Sequence, residues 1–128
     1  ADRNYGKSNR KVNYDLVPYA VFSQPEIASV GMTEEQAIEL IGKDSIKVHR
    51  SIFRPLSNSI PKKGSKCILK LIVDRNNNIV LGCHMIGENA SEIIQMASIS
   101  LMLGAKKSDF DNTMALHPTI AEEFVTMR

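Results

Sequence analysis

His117, Glu122 and Glu123 are the residues of this chain best arranged for chemistry. They lie in the run Leu116-His117-Pro118-Thr119-Ile120-Ala121-Glu122-Glu123-Phe124-Val125-Thr126-Met127. That run sets an imidazole just ahead of a predicted helix and two carboxylates in the helix's first turn. Thr119 reads as the N-cap, and Glu122, three residues on, completes a Thr-x-x-Glu capping box. Pro118 disfavours helical geometry at His117, which frees the ring to project away from the helix start. An imidazole presented to solvent or to a partner, with a carboxylate in reach, is a proton donor and acceptor near neutral pH. On spacing alone the structural reading comes first, because capping explains Glu122 and a histidine beside a proline is commonly a loop residue.

The elements that must position these groups follow from periodicity. Residues 1–14 are polar and irregular and read as a flexible linker remnant ahead of one domain over residues 15–128. Val17 to Ser23 and Ile27 to Val30 read as strands flanking Pro25. Thr33 opens a helix with Gln36 as capping-box partner, and Gly42 stops it. Ile46 to Phe53 alternates as a strand, and residues 57–65 read as a flexible loop. Lys66 to Val73 and Ile79 to Ile86 are β-branched, apolar runs joined by Asp74-Arg75-Asn76-Asn77-Asn78, a β-hairpin whose asparagines tolerate left-handed backbone. Cys67, Leu69, Leu71 and Val73 share one face, as do Ile79, Leu81, Cys83 and Met85.

Asn89 is expected to cap a helix with Glu92 at its third position and Gly104 ending it. Its apolar residues cover more of the circumference than a one-sided helix needs, so burial on two sides is expected, against the sheet and against a second subunit. A wholly internal helix is the alternative. Ser108 to Asn112 reads as a turn or short helix. Thr119 to Met127 reads as the last helix, with Ile120, Ala121, Phe124 and Val125 inward. The fold expected is α+β, a mainly antiparallel sheet with helices packed on one face. There is no βαβ rhythm and no glycine-rich nucleotide fingerprint, so no cofactor is expected on this chain alone.

A chain of 128 residues has room for one core, and a net charge of +2 with 23% charged residues is an ordinary soluble surface. Lys7, Arg10 and Lys11 with Tyr5 and Tyr14 mimic a nucleic-acid stacking pattern but fit a solvated tail better, so no nucleic acid is expected. No apolar run approaches the ~18 residues of a membrane span. The chain begins at Ala1, not methionine, and reads as a piece of something longer. Cys67 and Cys83 lie in apolar runs without Cys-x-x-Cys or Cys-x4-Cys spacing, and read as buried free thiols of a reducing, cytoplasmic compartment. His49 and His84 form no metal-ligand spacing with His117; they read as packing or surface residues, and no metal is expected.

The run from Phe110 to Arg128 resembles the C-terminal signature of the glutathione reductases, flavoproteins of the pyridine nucleotide-disulfide oxidoreductase family. Val21-Phe22-Ser23-Gln24-Pro25-Glu26-Ile27-Ala28-Ser29-Val30-Gly31 with Met32-Thr33-Glu34-Glu35-Gln36-Ala37 resembles the opening of the same family's interface domain. Phe53-Arg54-Pro55-Leu56, Leu81-Gly82-Cys83-His84-Met85 and Ser108-Asp109-Phe110-Asp111 resemble blocks that follow in order.

The resemblance implies a C-terminal dimerisation domain of an enzyme that passes electrons from NADPH through FAD and a protein disulfide to glutathione disulfide. It implies a homodimer in which His117 and Glu122 form the acid–base pair for the partner's disulfide chemistry. An imidazolium is a stronger acid than a thiol by about two pH units, so it can protonate an expelled thiolate. By the same resemblance, His117 and Pro118 border the flavin, while Phe53, Arg54, Leu56, Thr119, Glu123 and Thr126 border the glutathione pocket. Leu56 stands where a methionine is common, and Ile120 where a small residue is usual. Pro25 and Pro118 fall where the family tends to use cis peptide bonds. Dihydrolipoamide dehydrogenases carry a second histidine where this chain has Ala115, mercuric reductases extend further with paired cysteines, and trypanothione reductases share much of the motif. A non-catalytic homodimerisation module is the alternative from another class, and the chain alone is expected to be inactive.

Overall fold

The computed structural model describes residues 2–6, 11–56 and 66–128, so the loop expected at 57–65 lies outside the described residues. A short helix α1 (Asp2–Tyr5) forms in the stretch expected to be irregular. After it come β1 (Tyr19–Val21), β2 (Glu26–Gly31), α2 (Glu34–Ile41), β3 (Ile46–Phe53), β4 (Cys67–Asp74) and β5 (Val80–Gly87). The chain then closes with α3 (Ala90–Met102), α4 (Lys107–Asn112) and α5 (Glu123–Thr126). The strands form one five-stranded sheet in the order β1-β2-β5-β4-β3, with every neighbouring pair antiparallel. This is the α+β architecture expected.

Alternation on β4 decides the core. Cys67, Leu69, Leu71 and Val73 point to one face and are at most 2% exposed, joined by Ala28 and Val30 of β2 and Cys83 and Met85 of β5. Ile94 and Leu101 of α3 and Phe124 of α5 close the same cluster. Burying each such side chain is worth roughly 1.5–3 kcal/mol. Ile72, on the opposite face of β4, meets Ala37 of α2 and Ile46 in a smaller second cluster. The two thiols are buried and free.

The hairpin departs from strict alternation at one point. Ile72 pairs with Gly82 and Val73 with Val80, which leaves Leu81 as an extra, bulged residue. Val80 therefore joins the main cluster while Leu81 packs into the second, so the expected shared face of Ile79, Leu81, Cys83 and Met85 breaks at the bulge. Backbone crowding accompanies it: the Met32 amide donates to the Leu81 carbonyl at 2.9 Å, and a Cβ on Gly82 would lie 2.1 Å from the Met32 carbonyl oxygen.

The capping box at α2 forms as expected, with the Gln36 amide donating to the Thr33 hydroxyl at 3.2 Å and the Thr33 amide to the Gln36 side chain at 2.9 Å. Two other helix ends differ. Asn89 occupies the position before α3 in a left-handed conformation (φ 62°), and its side chain makes no capping bond. The carboxylate of Glu26 takes that role from the neighbouring strand, accepting from the Ser91 amide at 3.0 Å and hydroxyl at 2.8 Å. The last helix is shorter than expected, because residues 119–120 are irregular, 121–122 form a turn and only Glu123–Thr126 is helical. Ile120, Phe124 and Val125 are wholly or partly buried, but Ala121 is exposed.

α3 packs on β2 and β5 through Ile94, Ser98 and Leu101. Met96, Ile99, Met102 and Leu103 remain 51–81% exposed, so within this chain only one side of the helix is covered and the internal-helix alternative is excluded. No helix is long and apolar enough to cross a membrane among the described residues.

The two bonds from Ser91 hold the Glu26 carboxyl below its ordinary 4.5, against a smaller opposing effect of burial. A carboxyl lowered in the folded state contributes stability above its unfolded pKa and loses it as pH falls through the folded value. Denaturant midpoints of the wild type and Glu26→Gln are therefore expected to differ most at neutral pH, and to converge on acidification below about pH 4.5.

Candidate functional site

The His117 segment is positioned by what lies beneath it. Phe124 and Met127 are 4% and 5% exposed and seat α5 against the core. The ammonium of Lys107, itself buried, donates to the Met127 carbonyl at 2.9 Å and to Asp111. Asp111 also accepts from Arg128 at 2.6 Å. From β3, the Ser51 hydroxyl donates to the Glu123 carboxylate at 2.6 Å. Strand, helix and C-terminal residues are thus tied together directly under the turn that carries the histidine.

Within that turn the Glu122 amide donates to the Thr119 hydroxyl at 3.1 Å, which is half of the expected capping box. The other half is absent because the Glu122 carboxylate is engaged elsewhere. His117 Nδ1 lies 3.1 Å from both of its oxygens. A carboxylate only accepts, so Nδ1 carries the proton and Nε2 is left as the free, outward nitrogen. The histidine side chain is 82% exposed and the glutamate 15%, so a largely covered carboxylate orients a ring standing in solvent. Both the Gln24–Pro25 and His117–Pro118 peptide bonds are cis.

Phe53, Arg54, Leu56, His117, Pro118, Thr119, Glu122 and Glu123 line one cleft of about 640 Å³, together with Pro55 and Ile120. The end of β3 forms one wall and the 117–123 turn the other. Of the residues singled out in the sequence, Thr126 alone is not on the lining; it sits exposed near the far end of α5. Ser51 was missed. It shares a face of β3 with Phe53, so strand alternation carried the signal, although nothing in the spacing named Glu123 as its partner. A slightly larger groove, about 680 Å³, runs between the Tyr14–Tyr19 segment and α2, but it holds no histidine or cysteine.

His84 and His49 stay away from this cleft. His84 Nε2 donates to the Met32 carbonyl at 2.9 Å and Nδ1 accepts from the Ser29 hydroxyl at 2.8 Å, a packing role. His49 is 5% exposed. Neither thiol is primed as a nucleophile. Burial pushes Cys83 well above the usual thiol range, and burial likewise raises Cys67 despite a hydrogen bond from the Glu88 backbone.

Residues 17–128 match the family described as pyridine nucleotide-disulphide oxidoreductase, dimerisation domain. The chain belongs to this family. Among its relatives, a glutathione reductase of Nostoc sp. (strain PCC 7120 / SAG 25.82 / UTEX 2576) is 44% identical over the whole of this chain, and one of Burkholderia cepacia is 41% identical. A chloroplastic/mitochondrial glutathione reductase of Pisum sativum is 48% identical over 92% of the chain. The solved structure of the HOCl-induced flavoprotein disulfide reductase RclA from Escherichia coli superposes with a TM-score of 0.81 at 27% identity, covering 96% of this chain. This dimerisation domain spans 28% of the Nostoc and Burkholderia relatives and 21% of the pea one.

Nitrogen NMR of the dimerisation domain is expected to find the neutral His117 ring protonated at Nδ1. In Glu122→Ala that preference is expected to collapse toward mixed tautomers while the amide spectrum stays folded.

Proposed function

We propose that this dimerisation domain serves a glutathione-disulfide reductase, and that His117 is the proton donor and acceptor it lends to a site completed by a second copy of the longer protein. The observation that carries the reading is the Glu122-oriented, outward Nε2 at the mouth of the 640 Å³ cleft. When a thiolate attacks glutathione disulfide, one S–S bond breaks and the departing sulfur takes up a pair of electrons. Protonated Nε2 would give that sulfur its proton, and the neutral ring would accept one from the attacking thiol in another step. Glu122 fixes the tautomer this exchange needs. With Cys67 and Cys83 buried, the attacking dithiol belongs to another part of the full-length enzyme.

The cleft suits a zwitterionic peptide disulfide. Arg54 offers a guanidinium for a carboxylate, and Glu123, steadied by Ser51, offers a carboxylate for an ammonium group. Phe53 and Leu56 supply apolar contact, and the hydroxyl of Thr119 supplies a donor. Both signs on one cleft favour glutathione over a polycationic disulfide.

A flavin supplied by NADPH would bring the two electrons that reduce the dithiol. Among the described residues every strand pair is antiparallel, with no βαβ unit to hold either nucleotide. The exposed His117–Pro118 edge is accessible to a flat ring system. There the His117 carbonyl and Pro118 would be this chain's share of the flavin contact. Residues 15–128 are the folded unit in this scheme, with 1–14 as its connection. The free thiols fit a reducing compartment, and we place the enzyme in the cytoplasm.

His117→Ala in the full-length reductase is expected to lower glutathione-disulfide turnover by ~10²–10⁴-fold while NADPH still bleaches the flavin at its normal rate. Unchanged turnover would remove the acid–base role.

A purely structural role in homodimerisation is favoured by one observation, the exposed α3 face of Met96, Ile99, Met102 and Leu103. The two roles are compatible in the full enzyme, whereas the isolated chain, lacking dithiol and flavin, would do only the second. Leu103→Glu is expected to weaken self-association in sedimentation velocity without unfolding the chain; an unchanged association constant would move the interface elsewhere.

A further inference from the structure

A second polar cleft, about 370 Å³, opens between β3, the β4–β5 turn, α4 and the C-terminal residues, and shares no lining residue with the His117 cleft. Four cationic side chains line it, Lys47, Arg75, Lys107 and Arg128, against a single carboxylate, Asp111. That carboxylate is already committed twice, to Lys107 and to Arg128. Lys107 also donates a hydrogen bond to the Met127 carbonyl.

The remaining cations are less satisfied. Arg75 spends Nε on the Ile46 carbonyl at 2.7 Å, which leaves the outer nitrogens of its guanidinium. Among the described residues neither Arg75 nor Lys47 has an ion-pair partner. Beside them His49 is 95% buried, and its Nδ1 has no hydrogen-bond partner. An orphaned buried nitrogen is uncommon in a folded chain and calls for a ligand, ion or water to meet it. Burial, then Lys107, then Lys47 disfavour the charged form of this ring, while a hydrogen bond with the Arg128 backbone and the charge of Asp111 favour it. The local field is therefore positive, and a buried acceptor or donor stands unmet inside it.

We propose that this cleft binds a small phosphate-type oxyanion, gripped by Lys47 and Arg75 and met from below by His49. Guanidinium and ammonium groups converging from different elements match a tetrahedral anion with oxygens in several directions. Monohydrogen phosphate also has a hydroxyl. It can donate to Nδ1 of a neutral ring or accept from it once protonated, which a carboxylate or halide cannot do both ways. The anion is either free phosphate or the phosphoryl group of a small organic phosphate, since the cleft extends past His49 to Asn78.

The test is NMR titration of the intact chain with inorganic phosphate and, separately, glycerol 3-phosphate, each against sodium chloride at equal ionic strength. Saturable shifts at His49, Asn78 and Lys107 are expected, with the His49 titration moving upward when phosphate is bound. Lys47→Ala and Arg75→Ala, both at exposed positions, should each weaken binding on the order of tenfold, and Lys11→Ala should leave it unchanged. Tighter binding of glycerol 3-phosphate assigns the site to an organic phosphate, and equal binding assigns it to the free ion. Shifts that never saturate, that sodium chloride reproduces, or that survive both variants would overturn the proposal.

Discussion

Everything at the functional end of this domain depends on seating a helix of four residues. A single turn of helix has no stability of its own, because its nucleation is not repaid by its few hydrogen bonds. α5 holds its place because Phe124 and Met127 enter the core beside β4, because the buried Lys107 ammonium clamps the Met127 carbonyl, and because Ser51 reaches across from β3 to Glu123. With α5 fixed at both ends, the preceding turn has little freedom. Glu122 then faces back toward His117, and the contact gives the ring a fixed direction. Pre-organisation of this kind is how a modest scaffold gives an exposed side chain a defined direction.

The charge layout follows from the same arrangement. The carboxylate that would have completed a capping box is diverted to the histidine, so one orphan amide at the helix start gives up a partner and the ring gains one. At α3 the chain solves a similar problem differently, with Glu26 on a neighbouring strand capping a helix whose own preceding asparagine does not. The first stays within one turn, whereas the second is a tertiary substitution for a local signal and ties the start of α3 to β2.

Much of this was legible in the amino-acid order because it depends on alternation and on local chemistry. The β3 boundaries, the β4–β5 hairpin, the Thr33–Gln36 capping box and the glycine stops at 42 and 104 all follow from short-range rules. What escaped is what tertiary contacts decide. The bulge at Leu81 carries no composition signal. The Glu26–Ser91 cap joins residues 65 apart in sequence. The shortening of the last helix reflects a competition for Glu122 that the capping pattern cannot show by itself. At the site, the His117–Glu122 pairing and the convergence of Phe53, Arg54 and Leu56 with the 117–123 turn were expected from family resemblance. Thr126 falls off the cleft, and the Ser51–Glu123 link needed the strand and helix in place to be seen.

The bulge also makes one hairpin serve two masters. Because Val80 and Leu81 diverge to opposite sides of the sheet, the same strand stocks both hydrophobic clusters, and a two-residue periodicity is reset in mid-element. Side-chain swaps of similar size are the changes such a segment absorbs. Gaining or losing a residue between the Asn78 turn and Cys83 would transpose inside and outside for the entire strand, so over evolutionary time its length should be held far more tightly than its spelling.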